Sequence, residues 1–237
     1  MGAKLFHFKH FSISQDHTAH KVGTDGVLLG SWVNIHLHDR FLLDIGTGSG
    51  LIALMLAQRC GPDARIDAVE IDARAANQAR ENVARSPWPS KVAVIPECLQ
   101  RFAPGITYDL VVSNPPYFIN SLHPPGAERM QARHARALTF PDLLKAVIRL
   151  LSPGGRFGII LPHTEGLHFI TLAREIGLFP FRRTAFRARR HKPAQRLLME
   201  FTRQEETMEE SEIILYEERE SWTAEYKALT KDFYLNL

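Results

Sequence analysis

At 237 residues the chain is long enough to bury one sizeable core, and a single α/β domain is the expectation. Apolar residues make up 45% and charged residues 23%, no stretch is apolar enough to cross a bilayer, and the 2 cysteines, Cys60 and Cys98, are too few for a disulfide framework or a zinc ribbon. The net charge of +3 hides a separation, because Arg182, Arg183, Arg187, Arg189, Arg190 and Lys192 cluster in one segment while 205–220 is strongly acidic.

Residues 1–40 are rich in His, Lys and Phe, and the N-terminus has no apolar run of the kind a secretory signal needs, which predicts a cytoplasmic protein. Phe6, Phe8 and Phe11 alternate with polar residues, so a short strand or hairpin is expected there. At position 41 the pattern changes. Phe41-Leu42-Leu43-Asp44-Ile45 is an apolar run ending at Gly46, and Leu51, Ile52, Leu54, Met55 and Leu56 then form a helical apolar face. The alternation continues with a strand over 65–70, a helix over 72–85 and strands over 91–95 and 108–113. A helix over 140–151 is expected to stop at Pro153-Gly154-Gly155, directly ahead of a strand over 156–161.

Strands alternating with helices imply parallel strands joined by helical crossovers, hence an open, mostly parallel, twisted α/β sheet with helices on both faces. After a helix over 165–176, two strand-like runs at 179–187 and 196–203 have no helix between them and read as a C-terminal antiparallel hairpin. The acidic 204–212 reads as a solvated loop, and the tail from 213, with Tyr216, Trp222, Tyr226, Phe233 and Tyr234, as packing back onto the body. The expected organisation is one domain over 1–237: an extension over 1–40, a core over 41–203 and a packed tail over 204–237.

The run Asp44-Ile45-Gly46-Thr47-Gly48-Ser49-Gly50 lies where a strand passes into a helix, and its glycines let a ligand approach the backbone at the helix N-terminus. A dinucleotide fingerprint would need its third glycine at position 51, which is Leu51. The glycines run as Gly46, Gly48 and Gly50, the form that resembles class I S-adenosylmethionine-dependent methyltransferases. The next strand ends at Glu70, where a carboxylate can accept both hydroxyls of a ribose, and Asp72 suits a helix N-cap. That spacing alone serves a nicotinamide or an adenosine cofactor.

Asn114-Pro115-Pro116-Tyr117 separates the two. It follows an apolar strand directly, and it resembles the Asn-Pro-Pro-Tyr signature of methyltransferases that act on planar amino groups. A ring-conjugated amine is a poor nucleophile because its lone pair is delocalised. The Asn114 side-chain oxygen and the Pro115 carbonyl can accept its two N–H bonds and so favour a tetrahedral nitrogen, while the prolines fix the direction of the carbonyl. Tyr117 offers a face for the base to stack on, a contact worth about 1–3 kcal/mol.

Taken together, the chain resembles, over nearly its whole length, the bacterial N6-adenine methyltransferases that modify adenine 37 of valine tRNA. Phe8-Lys9-His10-Phe11-Ser12-Ile13, the stretch 21–30 and the stretch 228–235 carry the resemblance at the two ends. It implies a Rossmann-like class I methyltransferase with S-adenosyl-L-methionine as cofactor. Asp44, Gly46, Gly48, Gly50 and Glu70 would contact the cofactor, as would Thr24 or Asp25, and Asn114 to Tyr117 would hold adenine. Many such enzymes bind the cofactor's adenine through an Asp after the third strand. Here the sequence reads Glu97-Cys98-Leu99, leaving the Glu97 carboxylate or the Leu99 backbone for that task.

For tRNA, phosphate contacts are expected from Arg182, Arg183, Arg187, Arg189, Arg190 and Lys192, and from Arg129, Arg133, His134 and Arg136 after the catalytic loop. An anticodon loop suits such an enzyme because its bases swing out at modest cost. His7, His10, His17 and His20 have a spacing that zinc could use, but sulfonium chemistry needs no metal and none is expected. No obligate protein partner is expected. The alternatives are a protein glutamine N5-methyltransferase, for whose helical partner-binding domain residues 1–40 leave little room, a DNA adenine N6-methyltransferase, and a non-catalytic tRNA-binding module.

Overall fold

The computed structural model of the chain describes residues 5–16, 21–116, 138–217 and 219–236. The N-terminal pattern gives a two-stranded antiparallel hairpin, β1 (Leu5–His7) with β2 (Ser12–Ser14). It is followed by a helix that the sequence pattern does not announce, α1 (Thr24–Trp32). Residues Gly26 to Trp32 are all buried, so this helix has no polar face to give a 3.6-residue period.

The remaining strands among the described residues form one eight-stranded sheet. In chain order they are β3 (Phe41–Ile45), β4 (Arg65–Glu70), β5 (Val92–Pro96), β6 (Tyr108–Ser113), β7 (Leu151–Pro162), β8 (Phe179–Arg187), β9 (Arg196–Thr202) and β10 (Glu209–Ile214). Their spatial order is β10-β8-β9-β7-β6-β3-β4-β5. β5, β4, β3, β6 and β7 are mutually parallel, and β9 runs antiparallel to both β7 and β8. The strand order reverses between β3 and β6, which makes their carboxyl ends the switch point where open α/β sheets bind ligands.

Among the described residues, the helices between these strands are α2 (Leu51–Arg59), α3 (Ala73–Ala84), α4 (Phe140–Leu150) and α5 (His163–Glu175), with α6 (Ala224–Thr230) in the tail. Alternate residues of each central strand feed two separate cores. Leu42, Leu110, Val112 and Ile160 pack with α1 and α2, whereas Leu43, Val111, Ile159 and Leu161 pack with α4 and α5. The tail joins the first core through Tyr226 and Phe233, beside Phe8 and Phe11. The Lys9 N–H donates to the Phe233 carbonyl at 2.8 Å, tying the two ends of the chain together.

Two expectations need correction. Pro153-Gly154-Gly155 does not separate helix from strand: α4 ends at Leu150, β7 begins at Leu151, and these residues form an irregularity in its register with β6. Gly155 is required there because a Cβ would lie 2.7 Å from the Tyr108 carbonyl. The acidic 204–212 is not wholly a loop either. Its second half enters β10, an edge strand parallel to β8 that sets Glu210 and Glu212 within reach of Arg183 and Arg187.

Candidate active site

The turn between β3 and α2 is built on three left-handed residues, Gly46 (φ +73), Gly48 (φ +58) and Gly50 (φ +84), a conformation that costs other residues about 1–2 kcal/mol. A Cβ at Gly46 or Gly48 would meet nothing within 4 Å, so the turn presents bare backbone to open space. Asp44, the next-to-last residue of β3, is wholly buried. Its Oδ2 accepts from the Thr47 hydroxyl at 2.6 Å and the Ala53 N–H at 3.1 Å, and its Oδ1 has no partner. Burial raises its pKa to about 7, opposed by those two hydrogen bonds and reinforced by the charge of Glu70.

Glu70 closes β4 beside this turn. Its Oε2 accepts the Gly48 N–H and its Oε1 the Asp72 N–H, both at 2.9 Å. Asp72 is the N-cap of α3, its carboxylate accepting the Arg74 and Ala75 N–H groups, as its position predicts. Between the two acids in the sequence is Ile71, a large apolar side chain that is 52% exposed and that the motifs do not single out. The available signal is an apolar residue flanked by acids at a strand exit.

Asn114-Pro115-Pro116 leaves the carboxyl end of β6, one strand over from the glycine turn. The Ser113 hydroxyl donates to the Ile45 carbonyl at 3.0 Å and holds the two strand ends together. Asn114 is half-buried, Pro115 buried and Pro116 exposed. The first turn of α1 comes to the same place: a Cβ on Gly26 would lie 3.9 Å from the Asn114 Nδ2 and 3.0 Å from Leu51. Thr24 is thus exposed beside the cleft, and the Asp25 carboxylate accepts from Arg196 Nε at 2.8 Å. Tyr117, Arg129, Arg133, His134 and Arg136 lie outside the described residues, as do His17 and His20.

After β5, the Glu97 carboxylate is engaged locally by the Cys98 N–H and by Arg101, which together hold its pKa below the usual carboxylate range. The Leu99 side chain is buried in the second core and its carbonyl accepts from Arg149 at 3.2 Å. The structure therefore brings Thr24, Asp25, Asp44, Gly46, Gly48, Gly50, Glu70 and Asn114 to one edge of the sheet.

The basic segment divides. Arg182 pairs with buried Glu200, Arg183 with Glu210 and Arg187 with Glu212, and Arg189 donates to the Glu217 carbonyl. These four are not a continuous track of free cations. Arg190, His191 and Lys192 are exposed at the tip of the β8–β9 hairpin, where Arg190 is 80% exposed and 4.0 Å from Glu212. Since β8 runs parallel to β7, that tip projects from the same edge of the sheet as Asn114, and the His163 N–H donates to the Gln195 carbonyl across it.

Among the described residues, the group spaced for a metal is His36, His38 and Asp39, whose ligand atoms lie within 4.8 Å of one another. It sits at the opposite edge of the sheet, before β3. Arg156 bonds the His36 Nδ1 at 2.9 Å and donates to the Asp39 Oδ2 at 2.6 Å, which puts a guanidinium charge inside the cluster. Among the described residues no helix is long and apolar enough to cross a membrane.

The model of the methyltransferase small domain family matches residues 20–179. A tRNA1(Val) (adenine(37)-N6)-methyltransferase of Bacteroides thetaiotaomicron is 43% identical over 237 residues, covering 100% of each chain. One of Histophilus somni is 42% identical over 233 residues, covering 98% of this chain and 97% of its own. Among solved structures, a predicted O-methyltransferase from Agrobacterium tumefaciens is similar in fold, with a TM-score of 0.66 at 20% identity over 88% of this chain and 96% of its own. With a full-length match at this identity and a family model spanning the glycine turn and the Asn114 loop, the chain belongs to the methyltransferase small domain family and, within it, to the tRNA1(Val) (adenine(37)-N6)-methyltransferases.

Proposed function

We propose that the chain transfers a methyl group from S-adenosyl-L-methionine to N6 of an adenine in tRNA, adenine 37 of the valine tRNA being the position named for its relatives. The carrying observation is Asn114-Pro115 at the carboxyl end of β6, one strand from a glycine turn with open backbone, in a chain 43% identical to such an enzyme along its whole length. The reading takes the chain as a single methyltransferase domain acting in the cytoplasm.

The cofactor fits the residues present. Asp44 Oδ1 is a buried carboxylate oxygen lacking a partner, suited to a ligand ammonium, and the space over Gly46 and Gly48 admits a ligand against the backbone. Glu70 would take the ribose hydroxyls, Gly50 would open α2 beneath the ligand, Thr24 or Asp25 would meet the methionine end and the Leu99 backbone would meet the adenine edge. When bound, the cofactor supplies an electrophilic methyl group on a sulfonium, so the protein needs neither a metal nor a strong base. Asn114 Oδ1 and the Pro115 carbonyl accept the two N–H bonds of the target amine and turn its lone pair toward the cleft. Tyr117 would stack on the base. Positioning carries most of the rate, and effective molarities from such orientation reach about 10⁵ M or more.

For the tRNA, the exposed tip Arg190 and Lys192 is the phosphate contact the charge distribution favours, with Arg129 and Arg133 as further candidates. Methyl transfer from labelled cofactor into tRNA lacking the modification, followed by nucleoside analysis, tests the reaction: N6-methyladenosine in one tRNA is the expected product, and label in protein or DNA instead would overturn the target. In the same assay Asn114→Ala is expected to bind cofactor normally and lose turnover.

A further inference from the structure

We propose that Asn82 is a positioning residue that locks the N-terminal hairpin to the glycine turn and thereby sets cofactor affinity. The inference rests on the reading of that turn as the S-adenosylmethionine site. Asn82 lies in the last turn of α3 and is wholly buried. Its Oδ1 accepts the Ser14 N–H at 2.9 Å, and its Nδ2 donates to the Ser14 carbonyl at 2.8 Å and to the Ser49 carbonyl at 2.9 Å.

One amide thus pairs with both backbone groups of the residue that ends β2 and with the carbonyl between Gly48 and Gly50. The remaining capacity of its oxygen is filled by Arg85 at 3.2 Å, so the network is complete, the condition under which a buried polar group specifies a single arrangement. The turn is gripped from two sides. Glu70 holds the Gly48 N–H and Asn82 holds the Ser49 carbonyl, while Ala79 of the same helix packs 3.4 Å from where a Gly50 Cβ would be.

Glycines in the left-handed region are easily reoriented, so a turn made of three of them needs external contacts to present a fixed set of amides. Phe8, Phe11 and Ile13 bury the N-terminal hairpin in the first core, and the Asn82 amide bonds its end to the turn. Cutting the clasp leaves two elements that must be ordered by the ligand itself, and that ordering is subtracted from affinity.

The test uses Asn82→Asp, which keeps the shape and the acceptor but turns an anion toward two carbonyls, and Asn82→Ala. Ser86→Ala serves as a control, since the Ser86 hydroxyl is buried near the same helix end but bonds locally to Val83 and Trp88. S-adenosylhomocysteine binding is measured by calorimetry, and amide exchange of the ligand-free protein is followed over 11–16 and 46–51. The expected result is affinity about tenfold or more weaker in both Asn82 variants, with kcat at saturating cofactor within about twofold and exchange rising in both segments together. Unchanged affinity, exchange confined to one segment, or an equal loss of affinity in Ser86→Ala would overturn the proposal. Failure of the unaltered chain to bind S-adenosylhomocysteine would instead sink the functional reading, while the exchange measurement would still decide whether Asn82 joins the two segments.

Discussion

The Glu70 carboxylate accepts the Gly48 N–H at 2.9 Å, so the end of β4 and the turn after β3 are joined by the very group expected to receive a ribose. The bond orients the carboxylate before any ligand arrives, and its other oxygen is held by the Asp72 N–H. Hydrogen bonds to a charged acceptor contribute about 1.5–3 kcal/mol each, so Glu70→Ala should weaken S-adenosylhomocysteine binding by about 10-fold to 100-fold. Glu70→Gln should fall between, because an amide has one oxygen for what two now share. Calorimetry on the three proteins checks this, and equal affinities would remove Glu70 from the ribose.

If Asp44 meets the cofactor's ammonium as proposed, cofactor binding should be pH-dependent. Its pKa is raised from 3.8 to about 7 chiefly by burial, so the folded protein binds this proton more tightly than the unfolded chain does. Native stability from this group therefore falls as pH rises from 3.8 to about 7 and levels off above that. Binding of an ammonium-bearing ligand runs the other way, since it needs the ionised carboxylate. S-adenosylhomocysteine affinity should drop by about tenfold per pH unit below pH 7 and be flat above it, and Asp44→Asn should abolish the slope while lowering affinity throughout. A titration series from acid to mildly alkaline pH reads this directly. A wild-type affinity that does not move across the series would break the link between Asp44 and the ligand's charge.

What is legible in the sequence is local. The glycine turn shows itself because left-handed backbone requires Gly46, Gly48 and Gly50, and β6 because its apolar run stops at Asn114-Pro115-Pro116. α1 is invisible to periodicity, since a helix buried all round looks like any apolar stretch. β10 reads as a loop because its stability as a strand comes from elsewhere: Glu210 and Glu212 gain arginine partners only once β8 lies alongside. The same pairing changes the meaning of the basic segment. Asn82 carries no signal, because an asparagine near a helix end is ordinary until the residues it bonds, 68 and 33 positions away, are known.

Arg182 is a structural cation. Its guanidinium lies 4.0 Å from the Trp32 ring centroid and 2.9 Å from the carboxylate of Glu200, which is wholly buried and also accepts the Asn34 N–H. Burial pushes the Glu200 pKa up, and the Arg182 hydrogen bond and charge hold it down. Arg182→Met leaves a buried carboxylate without its counter-ion, which should destabilise the fold by about 3–5 kcal/mol at mildly alkaline pH. The loss should shrink in acid, where Glu200 takes up a proton: a carboxyl whose folded pKa is raised is destabilising only once pH exceeds its unfolded value. Denaturant unfolding at two pH values distinguishes this from a simple packing defect, which would cost the same at both.

The β8–β9 hairpin offers the sharpest separation between stability and substrate binding. Arg190 and Lys192 are exposed at the catalytic edge, whereas Arg183, on the same strand, is paired with Glu210 at 2.7 Å. An exposed pair such as Arg183–Glu210 contributes about 0–1 kcal/mol, so Arg183→Ala should leave tRNA affinity and its salt dependence nearly unchanged. Removing a cation that neutralises one phosphate should lower the slope of log K against log salt by about 0.7–0.9. Arg190→Glu combined with Lys192→Glu should therefore reduce that slope by about 1.5 and weaken tRNA binding at low salt, with S-adenosylhomocysteine affinity intact. Filter binding across a salt series would decide the matter, because a slope unaltered in the double variant would mean that the tip does not touch phosphate and that the tRNA approaches from another side of the cleft.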